Sequence, residues 1–104
     1  MSERDAIERI RQRLSARFDI ESIVLFGSRA RGDANEESDF DVLVVANSDV
    51  PFIERQGLAM LQLGRKGFAV DLLVYTPEEA ERASAITGSA IYWARREGRV
   101  IYAK

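Results

Sequence analysis

The sequence predicts a small α/β (α+β) fold, a mixed β-sheet flanked by helices. Three observations predict it. Apolar residues recur at helical spacing near the N-terminus, short apolar runs rich in strand formers follow, and caps and glycine stops punctuate the intervals between them. The 104 residues fit one domain, spanning 1–104. A chain of this length buries roughly two-thirds of its unfolded surface, which leaves no room for a large closed cavity. A sizeable substrate must lie in an open cleft or be covered by a partner.

The elements follow in order. Residues 3–18 read as an amphipathic helix, with Ile7, Ile10, Leu14 and Phe18 on one face. Ser2 suits the N-cap, with Asp5 three residues later. Residues 22–26 form a first strand that stops at Gly27, and residues 27–38 read as loop with room for one helical turn. Residues 40–46 form a second strand. Pro51 suits the first position of a helix that runs to Leu63 and closes at Gly64. Residues 68–75 form a third strand. Thr76-Pro77-Glu78-Glu79 then has the capping-box pattern, with a short helix to follow. A last helix covers 88–97 up to Gly98, and Val100 to Tyr102 suit a short edge strand. The order is therefore helix, strand, loop, strand, helix, strand, helix, helix.

Composition narrows the chemistry. With 15 basic and 17 acidic residues, the net charge of −2 does not suggest direct binding of nucleic acid. There are no cysteines and no histidines, so neither a thiolate site nor an imidazole base is available. Catalysis would have to rest on carboxylates, hydroxyls, arginines, backbone and bound metal. No apolar stretch approaches the ~20 residues of a membrane span, and the polar N-terminus is unlike a signal peptide, so the expected location is cytoplasmic. Arg4, Arg9, Arg11, Arg13 and Arg17 crowd the N-terminal segment, as a solvated helix face or as a surface for an acidic partner. Tyr75, Tyr92, Trp93 and Tyr102 suit the rim of a core or a partner surface.

One constellation carries more than composition does. Asp39 and Asp41 flank Phe40 at the start of an apolar strand, and side chains two apart on a strand share a face. Paired carboxylates repel and raise each other's pKa, and a hard divalent cation relieves the conflict. Asp71 is the only charge in the third strand. An unpaired carboxylate in a buried strand is costly, but it is reasonable if it faces Asp39 and Asp41 across the sheet. Gly27-Ser28 follows the first strand, where backbone N–H groups and a hydroxyl can hold phosphate oxygens. Arg29 and Arg31 lie just beyond, as further positive charge or as ordinary surface residues. Glu36-Glu37 read as solvated loop, and Ser38 as a residue that turns the chain into the strand.

Gly27-Ser28, ten intervening residues and Asp39-Phe40-Asp41 together resemble the signature of the DNA polymerase β-like nucleotidyltransferase superfamily. The resemblance runs from about residue 5 to residue 102. It is strongest to the minimal nucleotidyltransferases, which are often encoded beside a HEPN-domain protein. It implies a polymerase β-like fold and transfer of AMP from ATP with release of pyrophosphate. Asp39, Asp41 and Asp71 would hold Mg²⁺, with two ions expected and Mn²⁺ an alternative, and Asp71 would help deprotonate the acceptor hydroxyl. Gly27 and Ser28 would grip the β- and γ-phosphates, with Arg29 and Arg31 as accessory contacts. The implied role is an antitoxin that adenylylates a tyrosine of a HEPN toxin, in a homo- or hetero-oligomer. The competing readings are a non-catalytic antitoxin that acts by contact and a transferase for small molecules of the aminoglycoside type. The latter usually carry an extra acceptor-binding domain, for which 104 residues leave no space.

Overall fold

Ser2 starts the first helix as its sequence suggests, its hydroxyl accepting from the Asp5 N–H at 3.1 Å. The computed structural model describes residues 2–35, 38–64 and 67–104. Glu36-Glu37 lies outside these residues. The elements are α1 (Glu3–Ser15), β1 (Asp19–Phe26), α2 (Ser28–Arg31), β2 (Phe40–Asn47), α3 (Phe52–Leu63), β3 (Val70–Tyr75), α4 (Pro77–Ser84), α5 (Ala90–Glu97) and β4 (Arg99–Ala103). The expected helix–strand order holds, and the edge strand is present as β4.

The four strands form one mixed sheet in the order β3-β2-β1-β4. β1 runs antiparallel to β2 and β4, while β2 and β3 are parallel. Parallel neighbours need a crossover, and α3 supplies it. Alternation along the strands divides the sheet into two faces. Val42 and Val44 point into a core built with Ile7, Ile10 and Leu14 of α1 and Ala59 and Leu63 of α3. Leu43 points the other way, into a smaller cluster with Ala80 of α4 and Ile91 and Ala94 of α5.

Boundaries shift where pairing outweighs local pattern. β1 begins at Asp19, three residues ahead of the apolar run, because Asp19 and Ile20 pair with Asn47 and Ala46 before an irregularity at Ser22. α1 ends at Ser15, yet Phe18 is still buried against it. Pro51 caps α3 from just outside the first turn. Thr76 completes its capping box, with the Glu79 N–H donating to the Thr76 hydroxyl at 3.2 Å and the Thr76 N–H donating to Glu79 Oε1 at 2.9 Å. Gly98 has a packing reason: a Cβ there would come within 2.2 Å of the Ala94 carbonyl oxygen and 2.6 Å of Val24. Its bare backbone lets the chain leave α5 for β4 close against β1.

Two α3 side chains lock this frame, and neither stands out in the sequence. Arg55 is only 2% exposed. It donates to Glu79 at 2.6 and 3.1 Å and to the carbonyls of Val74 and Val50 at 2.9 and 2.8 Å. It therefore ties α3, β3 and the α4 cap together. Gln56 donates to the Leu72 carbonyl at 2.9 Å and accepts from the Val74 N–H at 2.6 Å, satisfying backbone along the outer edge of β3.

The Arg55 guanidinium beside Glu79 holds that carboxyl below the usual carboxylate range. The pair's contribution is thus full above that range and lost as pH falls through the lower folded value. Replacing Arg55 with Leu strands a partly buried carboxylate and two carbonyls. Urea unfolding at pH 7 should register a loss of about 3 kcal/mol, shrinking toward acid pH.

Candidate functional site at the sheet end

β2 and β3 begin side by side, and β1 ends beside them. Their register sets Asp41 opposite Asp71 on one side and opposite Phe26 on the other. By strand alternation Asp41 and Asp71 share the face of Leu43 and Leu73, which is the face that α5 covers. Asp39, just ahead of β2, has the same parity. Three carboxylates thus meet at one corner of the sheet.

Their environments differ. Asp41 is half-buried, whereas Asp39 and Asp71 are exposed. The expectation that Asp71 lies in a buried strand is corrected here. β3 is the outer strand, and only Leu72 and Val74, on the other face, are buried beside it. Burial, then the neighbouring charges of Asp71 and Asp39, push the Asp41 carboxyl above its usual range, and Arg31 opposes them. The carboxylates therefore feel one another. Among the described residues no group of three or more such side chains is gathered closely enough to enclose an ion. The donor chemistry nevertheless fits a hard divalent cation. Mg²⁺ ordinarily takes one or two carboxylates and fills its octahedron with water and substrate phosphate.

Gly27 joins this corner directly. It has φ 71° and ψ −154° and precedes the single helical turn of α2, where Ser28 is the first residue. A Cβ at Gly27 would stand 2.1 Å from Asp41 Oδ2. The turn and the carboxylate are therefore in contact only because the side chain is missing. The sequence marks Gly27 as the stop of the first strand, and the atom it makes room for is the Asp41 oxygen.

The two arginines part company. Arg29 lies over the Phe40 ring at 3.9 Å and donates to the Ser38 carbonyl at 3.2 and 2.9 Å, pinning the loop that leads into β2. Ser38 itself holds the loop, accepting from the Asn35 N–H at 3.0 Å. Arg31 faces the cleft. Its guanidinium meets Asp33 at 3.3 Å and Glu97 of α5 at 2.9 Å. The cleft has a volume of ≈ 400 Å³, lined by Phe26, Gly27 and Asp41 at the sheet end, Arg31 of α2, and Ala90, Trp93 and Glu97 of α5. Glu97 gave no sequence signal, because its partner lies 66 residues away. Trp93 was legible only as a rim aromatic.

Residues 7–92 match the sequence profile of the nucleotidyltransferase domain. A protein of Methanocaldococcus jannaschii, provisionally named a protein adenylyltransferase, is 32% identical over 109 residues, covering 98% of this chain and 100% of its own. Solved structures share the fold. A provisionally assigned nucleotidyltransferase from Sulfolobus solfataricus superposes with a TM-score of 0.68 at 21% identity, over 96% of this chain and 79% of its own. A toxin–antitoxin structure with AMP-PNP gives 0.64 at 20% identity, over 99% and 75%. A structure of a provisionally assigned minimal nucleotidyltransferase gives 0.59 at 28% identity, over 95% of each chain.

Two substitutions probe the contact at this corner. Gly27→Ala combines a backbone conformation reserved for glycine with a collision on Asp41, and thermal melting should show a loss of about 1–3 kcal/mol. Asp41→Asn acts in the opposite direction. Because the folded carboxyl keeps its proton to higher pH than the unfolded one, wild-type stability falls as pH rises through the window above the usual carboxylate range. In melts without divalent metal the variant should be the more stable at pH 7, and the gap should close on acidification.

Proposed function

The chain belongs to the nucleotidyltransferase domain family, and from that premise we propose that it is a Mg²⁺-dependent adenylyltransferase that moves AMP from ATP to an acceptor hydroxyl. The observation that carries this reading is the register that sets Asp41 opposite Asp71 and against the Gly27 turn. Asp39 and Asp41 would hold the metal, with Mn²⁺ as a substitute, and Asp71 would complete the site. Two such ions would supply positive charge to the α-phosphate and to the departing pyrophosphate.

The chain's own residues do the rest. The Gly27 backbone can approach phosphate oxygens as closely as it approaches Asp41, and the Ser28 hydroxyl adds a donor. Arg31 is the arginine turned to the cleft, and incoming phosphates would exchange with Asp33 and Glu97 for its guanidinium. Arg29 acts on the loop instead. Asp71, exposed at the outer strand, is reachable by an acceptor and takes its hydroxyl proton as general base. The acceptor oxygen bonds to the α-phosphorus as the bond to the β-phosphate oxygen breaks, and positioning supplies much of the rate.

For the acceptor, two likenesses support a protein hydroxyl. The M. jannaschii relative carries the name protein adenylyltransferase, and one structure of the same fold is a toxin–antitoxin complex with AMP-PNP. We place the acceptor on a tyrosine of a HEPN toxin, with this chain as the antitoxin working in the cytoplasm. The test is incubation with ATP labelled at the α-phosphate, Mg²⁺ and the candidate toxin. Label should pass to the toxin, vanish with EDTA and vanish in Asp39→Asn/Asp41→Asn. Asp71→Asn should lower kcat about 10²–10⁴-fold while ATP still binds. No transfer by wild type, with toxin inhibition intact in the double variant, would instead favour neutralisation by contact.

A further inference from the structure

Asp41, Arg31 and the glycine turn account for one side of the cleft, and α5 supplies the other. We propose that this α5 wall is the nucleobase subsite, with the Trp93 indole as its stacking platform. The inference rests on the nucleotidyltransferase reading and adds where the base lies.

Trp93 is 47% exposed, although its neighbours on α5, Ile91 and Ala94, are buried at 1% each. An open indole on a convex surface would need no explanation. This one lines a concavity, together with the apolar Phe26 and the small Ala90. At ≈ 400 Å³ the cleft falls within the range of small-ligand sites, about 300–1,000 Å³.

The lining also combines two characters. Arg31 and Asp41 carry charge beside the Gly27 turn, where Phe26 also lies, while Ala90 and Trp93 give α5 an apolar stretch ahead of Glu97. A nucleoside triphosphate combines the same two, charge in its phosphates and a flat π-system in its base. The ion pair of Arg31 with Glu97 joins α2 to α5, so the α5 wall and the phosphate-side turn border one cleft.

Sheet order separates this subsite from the acceptor. The cleft lies over the end of β1, whereas Asp71 lies on β3, with β2 between them. A base against Trp93 would leave the Asp71 side open for the attacking hydroxyl. Stacking on an aromatic ring is tolerant of base identity, so this wall selects for a base as such and favours the larger purine surface.

Trp93 is the only tryptophan, so its fluorescence reports the subsite alone. With Mg²⁺ present, ATP should quench it saturably. Inorganic tripolyphosphate, which carries the charge without the base, should compete with ATP yet quench little. Trp93→Leu should raise the KM for ATP about tenfold, as expected for losing one stacked base. It should leave kcat and inhibition by tripolyphosphate unchanged, and Trp93→Phe should restore most of the loss. Equal quenching by ATP and tripolyphosphate would overturn the proposal. So would a Trp93→Leu effect confined to the KM of the acceptor, which would assign the cleft to the acceptor instead. The titration needs no turnover. A chain that transfers nothing yet shows base-dependent quenching refutes the catalytic reading and keeps this one.

Discussion

Asp41 stands where three requirements meet. Its strand register sets it opposite a second carboxylate, its oxygen occupies the space a Gly27 side chain would fill, and it is partly withdrawn from water. Each of these raises the energy of the charged form or forbids the neighbouring atoms from relaxing. The rest of the molecule serves to keep it there. α1 and α3 pack one sheet face and fix the strands, while α4 and α5 close the other up to the cleft and stop. The Arg55–Glu79 pair, remote from the corner, sets where β3 and α4 lie and so where Asp71 can be.

Such an arrangement has the logic of a site made uncomfortable without its ligand. Like charges held close in a partly dry place cost stability, and a cation or a redistribution of protons relieves the cost. The positive charge that acts on Asp41, Arg31, is itself engaged by Asp33 and Glu97. It moderates the corner without neutralising it, and anionic groups entering the cleft would draw it from the carboxylates that now hold it.

Much of this was legible in the sequence because local rules acted alone. Ser2 and Thr76 cap their helices as the neighbouring residues require, and Gly27 and Asp41, far apart in the motif, lie against each other. What was not legible depends on distance along the chain. Nothing near Arg55 announces a buried arginine, because its partners arrive from β3 and α4. Nothing near Glu97 announces a partner 66 residues away. The apolar run around Asp71 implies burial that its position does not deliver: β3 is the outer strand, Leu73 and Tyr75 on the same face are covered only in part, and Asp71 at the start of the strand is left exposed.

The Gln56 clamp on β3 has a consequence for how anything approaches Asp71. An outer strand with unpaired backbone invites another strand to lie alongside it. Gln56 already occupies the Leu72 carbonyl and the Val74 N–H, immediately after Asp71. A visitor cannot zip onto the sheet there. It must approach Asp71 end-on, as a loop tip or a projecting side chain does, so the shape of an acceptable visitor is partly decided by a glutamine on α3.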